Sequence, residues 1–224
     1  MMEFRSYPDR ELLAMGLADA LASDLKNCLL THDWVSLCVP GGTSPGDTFR
    51  MLSGVALDWD RVHVFLNDER WVPEGHDRSN TSLLRATLLT DRASKAKLVP
   101  MVNDADTPEE GIPALEAGFA SELPISVLLL GMGADMHTAS LFPGADKLDL
   151  AMSADAPILV PMRAERAGEP RITLSRRVLA DAMETHVLIM GDEKRTVLER
   201  ARNQDPMDAP IAAFLKDAVV HWAP

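Results

Sequence analysis

Apolar positions along the chain change period repeatedly, and each change marks an element. From Asp9 to about Leu30, "DRELLAMGLADALASDLKNCLL" carries apolar residues three and four apart behind Pro8 and Asp9, which predicts a helix. "WVSLCV" is a short apolar run closed by Pro40-Gly41-Gly42, as expected of a buried strand entering a turn. "SPGDTFRMLSG" then reads as a helix with Ser44 as its cap and Pro45 at its first position. The alternation continues with strand "RVHVFLNDE", helix "SNTSLLRATLLT" capped by Ser79 or Asn80, and strand "AKLVPM". An acidic-start helix, "TPEEGIPALEAGFASEL", leads to "ISVLLLG", the most apolar strand of all. Short strands "APILVPM" and "RITLS", helix "RRVLADAM", strand "THVLIMG" and helix "DEKRTVLERARN" follow, before "APIAAFLKD" and "AVVHWA".

Strands that are apolar on both faces and alternate with helices belong to a mostly parallel sheet covered on both sides. The expected class is therefore α/β: a Rossmann-like, doubly wound, mostly parallel sheet with helices on both faces. The chain has 224 residues and no internal repeat or low-complexity linker, so one domain over 1–224 is expected. In an open parallel sheet, ligands bind beyond the carboxyl ends of the strands. Four such ends here carry polar punctuation: "PGGTSPG", "NDERWVP", "GMGADMHTASLFPG" and "GDEK". All four should lie on one edge of the sheet, and their convergence defines a candidate site.

Composition narrows the partners. The net charge of −12 argues against nonspecific nucleic-acid or anionic-membrane binding, yet a few Arg and Lys can still line one positive cleft. Cys28 and Cys38 lack metal-ligand spacing and read as buried thiols in a reducing cytosol. No basic start followed by an apolar stretch marks a signal peptide, and the longest apolar run, "ISVLLLGMGA", is far short of the ~20 residues of a membrane span. A soluble, cytoplasmic protein is expected.

The first loop contains G-x-S-x-G, the spelling of a nucleophile elbow, from Gly42 to Gly46. An elbow needs the residue after the Ser to donate its backbone N–H, and Pro45 has none. No Gly-Lys-Ser/Thr follows either, so the phosphate-binding Walker loop is also excluded. The turn at Gly41, Gly42, Thr43 and Ser44 instead offers free N–H groups, two hydroxyls and a helix N-terminus, which suit a phosphate as well as a plain turn. In the second loop Arg70 is placed for a bidentate phosphate contact or for an internal carboxylate pair, with Asp68 and Glu69 beside it. In the third, His137 lies just past a strand end with Asp135 two residues before it, and an imidazole can exchange a proton with water near neutrality. No second His or Cys stands at metal spacing from it, so no metal is expected. Lys194 falls in a first helical turn, where the dipole disfavours a cation unless an anion shares the place. Arg171, opening "RITLS", fits a further anion contact or an ordinary surface position.

With these loops in place, nearly the whole chain resembles the 6-phosphogluconolactonases, in the fold group shared with the glucosamine-6-phosphate deaminases. The strings "GGTSPG", "NDERWVP", "RSNTSLL", "GMGADMHTASLFPG", "RITLS", "GDEK" and "PIAAFL" carry the resemblance, "HTASLFPG" most specifically. One departure is Met136, where the family's commonest spelling has Gly between the Asp and the His. The resemblance implies hydrolysis of 6-phospho-D-glucono-1,5-lactone without a cofactor or covalent intermediate, in the oxidative pentose phosphate pathway. It implies His137 as general base and Asp135 as a residue that orients the loop or the His. Arg70, Lys194 and the 41–44 turn would contact phosphate and sugar, Asp68 would hold Arg70 or a sugar hydroxyl, and Arg171 would face the substrate. The alternatives are a deaminase/isomerase of the same fold, whose His loop carries a Glu soon afterwards, and a sensor that binds the sugar phosphate without turnover. "HTASLFPG" has no acid before Asp146, and no basic helix-turn-helix is visible.

Overall fold

A computed structural model of the chain describes residues 2–165 and 167–224. A short strand, β1 (Glu3–Ser6), precedes the first helix and is too polar to stand out in the sequence pattern. The helix then forms as α1 (Arg10–Leu29), with Leu13, Leu17, Leu21 and Leu25 buried at four-residue spacing. Its start is fixed by the Asp9 side chain, which accepts from the Leu12 N–H at 2.8 Å, a cap worth about 1 kcal/mol. β2 (Val35–Val39) is buried throughout and leads to α2 (Gly46–Ser53). The expected Ser44 cap is not made: Pro45 takes the cap position, with no side-chain cap bond, and the helix starts one residue later. The Gly46 N–H donates to Thr43 O at 3.2 Å, so a backbone turn closes this end instead.

The strand expected over "RVHVFLNDE" divides at Asn67 into β3 (Val62–Leu66) and β4 (Asp68–Arg70), which join different sheets. Asn67 is the junction. Its N–H donates to Val39 O, its carbonyl accepts from the Leu174 N–H, and its Nδ2 donates to Leu129 O. α3 (Asn80–Thr87) is capped by Ser79, and β5 is only Lys97–Leu98. α4 (Pro108–Ala120) is capped by Thr107 and followed by β6 (Val127–Gly131). α5 (Leu148–Met152), not visible in the sequence pattern, precedes β7 (Leu159–Met162) and β8 (Arg171–Leu174). The remainder is α6 (Arg176–Ala180), β9 (Glu184–Met190), α7 (Asp192–Ala201), a 3-10 turn over Pro210–Phe214 and β10 (Val219–Ala223).

The central sheet has seven parallel strands in the order β1-β10-β9-β6-β2-β3-β5, while β4, β8 and β7 form a small antiparallel sheet. From β2 the chain winds outward to β3 and β5; from β6 it winds the other way to β9 and β10. Right-handed crossovers in opposite directions put α1, α2 and α3 on one face and α4 and α7 on the other. The packing of α1 on α2 and of α2 on α3 agrees. The winding direction therefore reverses between β2 and β6, where an open sheet leaves a crevice at its carboxyl edge. Both cysteines are buried and unbridged, and among the described residues no helix is long and apolar enough to cross a membrane.

Candidate active site

A cleft of about 250 Å³ occupies that crevice. All four expected loops reach it. Gly41, Gly42 and Ser44 line it from the end of β2, Asp68 and Arg70 from β4, His137 from the loop after β6, and Lys194 from α7. Arg171 of β8 completes one wall. Two of the expected residues do not line the cleft: Thr43 is exposed beside the turn, and Asp135 stands behind His137.

The floor is built by close approaches that exclude side chains. A Cβ on Gly41 would lie 2.0 Å from the Asn80 side-chain carbon Cγ, and one on Gly133 would lie 2.2 Å from His137 Cε1. Gly133 thus lets the His137 ring fold over its own loop. The loop is closed by the Gly133 N–H donating to His137 O at 2.9 Å and by the Met136 N–H donating to Gly133 O at 3.0 Å. Met136 takes φ of 67°, the left-handed region, which costs roughly 1–2 kcal/mol for a residue with a Cβ. Its side chain is buried in the core, a gain of about 1.5–3 kcal/mol that offsets the strain. A Met at 136 therefore adopts the backbone conformation that glycine favours, and the loop is not blocked.

Within this loop His137 Nδ1 bonds Asp135 Oδ1 at short range, and the His137 N–H donates to the same oxygen at 3.3 Å. That bond from His137 is the main reason the Asp135 carboxyl is held below its ordinary value, against the opposing effect of burial. The ring packs on Phe142, centroids 4.3 Å apart, and about a third of the side chain stays accessible. With Nδ1 turned to the carboxylate, Nε2 is the nitrogen left for the cleft.

The cleft lining is also cationic. β4 and β8 pair antiparallel with Arg70 directly opposite Arg171, a like-charge pair that destabilises a sheet unless an anion lies between. Asp68 does not hold Arg70. Its Oδ2 accepts from Ser140 Oγ and, at 3.4 Å, from Arg171 Nη1, because Asp68, Arg70 and Arg171 share one face of the small sheet. Arg70 Nη1 donates instead to Arg78 O at 2.6 Å. The Nε atoms of both Arg70 and Arg171 are buried without a partner among the described residues. Arg171 stands over the Phe142 ring at 5.3 Å, and burial pulls its pKa below the usual arginine value, with Asp68 opposing. Lys194 Nζ donates to Met132 O at 2.7 Å, tying α7 to the loop after β6. Its pKa is lowered by burial, while Asp135 and Glu193 favour its charge.

Three contributors escaped sequence reasoning. Glu69, buried, accepts from the N–H groups of Arg70, Asn80 and Thr81 and from two hydroxyls, so it holds the 70–80 loop against α3 and has no role in the cleft. Asn67 and Asn80 both line the cleft, and only the return of the chain after eleven to thirteen residues reveals it. Among the described residues no cluster of His, Cys, Asp and Glu could hold a metal.

A family model described as "Glucosamine-6-phosphate isomerases/6-phosphogluconolactonase" matches residues 8–222. A 6-phosphogluconolactonase of Rhizobium meliloti is 40% identical over 226 residues, covering 97% of this chain and 97% of the relative. One from Mesorhizobium japonicum is 38% identical over 226 residues, covering 99% and 95%. Among solved structures, a 6-phosphogluconolactonase from Shewanella baltica superposes with a TM-score of 0.96 at 33% identity, covering 100% of this chain and 98% of the other.

Proposed function

The chain belongs to the glucosamine-6-phosphate isomerase/6-phosphogluconolactonase family, and from that premise we propose that it hydrolyses 6-phospho-D-glucono-1,5-lactone to 6-phosphogluconate, as one domain acting in the cytoplasm. The observation that carries this reading is the Asp135-supported His137 at a cleft also lined by Arg70, Arg171 and Lys194. Asp135 fixes the tautomer with Nδ1–H, leaving the Nε2 lone pair as a base. Nε2 takes a proton from a water whose oxygen bonds to C1 of the lactone. The tetrahedral intermediate then collapses, the bond from C1 to the ring oxygen breaks, and the imidazolium returns its proton to that oxygen. The free acid loses a proton to solvent.

Arg70, Arg171 and the backbone of the 41–44 turn supply the charge for the phosphate, and Lys194 stands closer to the reacting loop. A δ-lactone is an activated ester, so a positioned base contributing about 10²–10⁴-fold, together with binding geometry, is enough without a covalent intermediate. Ser44 is part of the cradle.

Freshly generated 6-phosphogluconolactone, with spontaneous hydrolysis subtracted, tests the reading against glucosamine 6-phosphate in a parallel ammonia-release assay. Turnover of the first substrate alone is expected. Turnover of the second, or binding of sugar phosphates with no turnover of either, would overturn it in favour of a deaminase or a sensor.

A further inference from the structure

The cleft is rich in donors: the guanidinium groups of Arg70 and Arg171, the ammonium of Lys194 and the N–H groups of the glycine turn. A polyhydroxy lactone brings donors of its own, on C2, C3 and C4, and these need acceptors. Acceptors are scarce. Asp68 receives Ser140 and Arg171 on Oδ2, which leaves its Oδ1 for the ligand, and Asn67 Oδ1 is sealed from solvent.

Asn80 differs. It is 3% exposed and lines the cleft at the first position of α3. Its N–H donates to Glu69 Oε1 at 2.8 Å, which fixes the backbone. Its Nδ2 donates to the backbone oxygen of Asp68 at 3.2 Å. Since that partner can only accept, the nitrogen must face it and the orientation of the amide is determined. Oδ1 receives no donor from the described residues and, unlike that of Asn67, is not sealed away. The missing Cβ of Gly41 leaves the space in which this amide sits.

We propose that Asn80 is a specificity-determining residue, its pre-oriented Oδ1 accepting a hydrogen bond from one ring hydroxyl of the lactone. The inference rests on the hydrolase reading above. A substrate lacking that hydroxyl would leave the acceptor dry and unpaired, which is the larger penalty in hydrogen-bond recognition.

The test compares kcat/KM of wild type and Asn80→Ala for 6-phosphogluconolactone and its 2-deoxy, 3-deoxy and 4-deoxy analogues. Wild type is expected to favour the parent over one analogue by at least about tenfold. In Asn80→Ala that preference should shrink to within about twofold, while the preferences against the other two analogues persist. A uniform loss on all four substrates with every ratio preserved marks a merely structural residue and overturns the proposal alone. No turnover of the parent by folded wild type overturns the hydrolase reading and this proposal with it. If Asn80→Ala does not fold, the same ratios are read from Asn80→Ser, whose hydroxyl is too short to replace Oδ1.

Discussion

Of the three histidine–carboxylate pairs among the described residues, His63–Glu122 lies on β3, and the other two make an instructive contrast. At the carboxyl edge, His137 Nδ1 is held by Asp135 and the ring faces a cleft. Near the amino end of β9, His186 Nε2 bonds Asp24 Oδ2 at 2.8 Å, and its Nδ1 meets His221 Nε2 at 3.0 Å. His221 in turn meets the Tyr7 hydroxyl at 2.9 Å, so the four side chains form a closed file between α1, β9 and β10. Every ring nitrogen of that file has a partner. The first pair leaves Nε2 without a partner among the described residues. Pairing with a carboxylate is thus no sign of catalysis; what sets His137 apart is a ring nitrogen left open to a cleft at a strand's carboxyl end, as the proposed base requires. Burial, with His186 and Arg5 nearby, holds the His221 imidazole down at about 3, which suits a neutral structural group.

The largest effect that would sharpen this contrast comes from the cleft's wall, which the strut lacks. Arg171→Ala should raise KM for the lactone by about 100-fold, the loss of a charged hydrogen bond to phosphate, with a much smaller change in kcat. An unchanged KM in steady-state assays would remove Arg171 from phosphate binding. Next, Asp135→Asn should lower kcat by about tenfold with little change in KM, whereas Asp24→Asn should leave both alone. Equal losses in the two variants would break the distinction between base and strut. Gly133→Ala should act through crowding: its Cβ would meet the His137 ring, and several-fold of kcat should be lost without a change in fold by circular dichroism.

The smallest effect on activity, none, belongs to His221→Gln, which should instead change acid stability. The folded pKa of His221 is about 3 and the unfolded one ~6.5, so the unfolded chain binds the extra proton between these values. Its contribution to stability is fully present above about pH 6.5 and declines as pH falls toward 3. Melting temperatures from pH 7 to 4 should therefore fall less steeply in His221→Gln than in wild type. Parallel curves would mean that the file does not set acid stability.

Much of the active edge was legible in the sequence because parallel strands put their carboxyl-end loops together whatever the details of packing. Gly41, Gly42, Ser44, Asp68, Arg70, His137 and Lys194 were found by that rule and line the cleft. Arg171 was left between an anion contact and an ordinary surface position by the residues alone, since its place depends on β8 turning back antiparallel to β4. Of the two expected partners of Asp68, Arg70 or a sugar hydroxyl, the pair with Arg70 is not made, for the same reason: the observed ion pair joins residues 103 apart in sequence. β1 and α5 were missed because short, half-polar segments carry little periodicity, and both are held by tertiary pairing. The split at Asn67 follows from one side chain bonding across to Leu129, which no local pattern records.

Whether His137 supplies the base for lactone hydrolysis is decided by background-corrected turnover in folded His137→Ala beside wild type. A loss of about 10²–10⁴-fold in kcat, toward the spontaneous rate, is expected, with substrate binding retained. Equal turnover in the two proteins would keep the substrate and contradict His137 as the base.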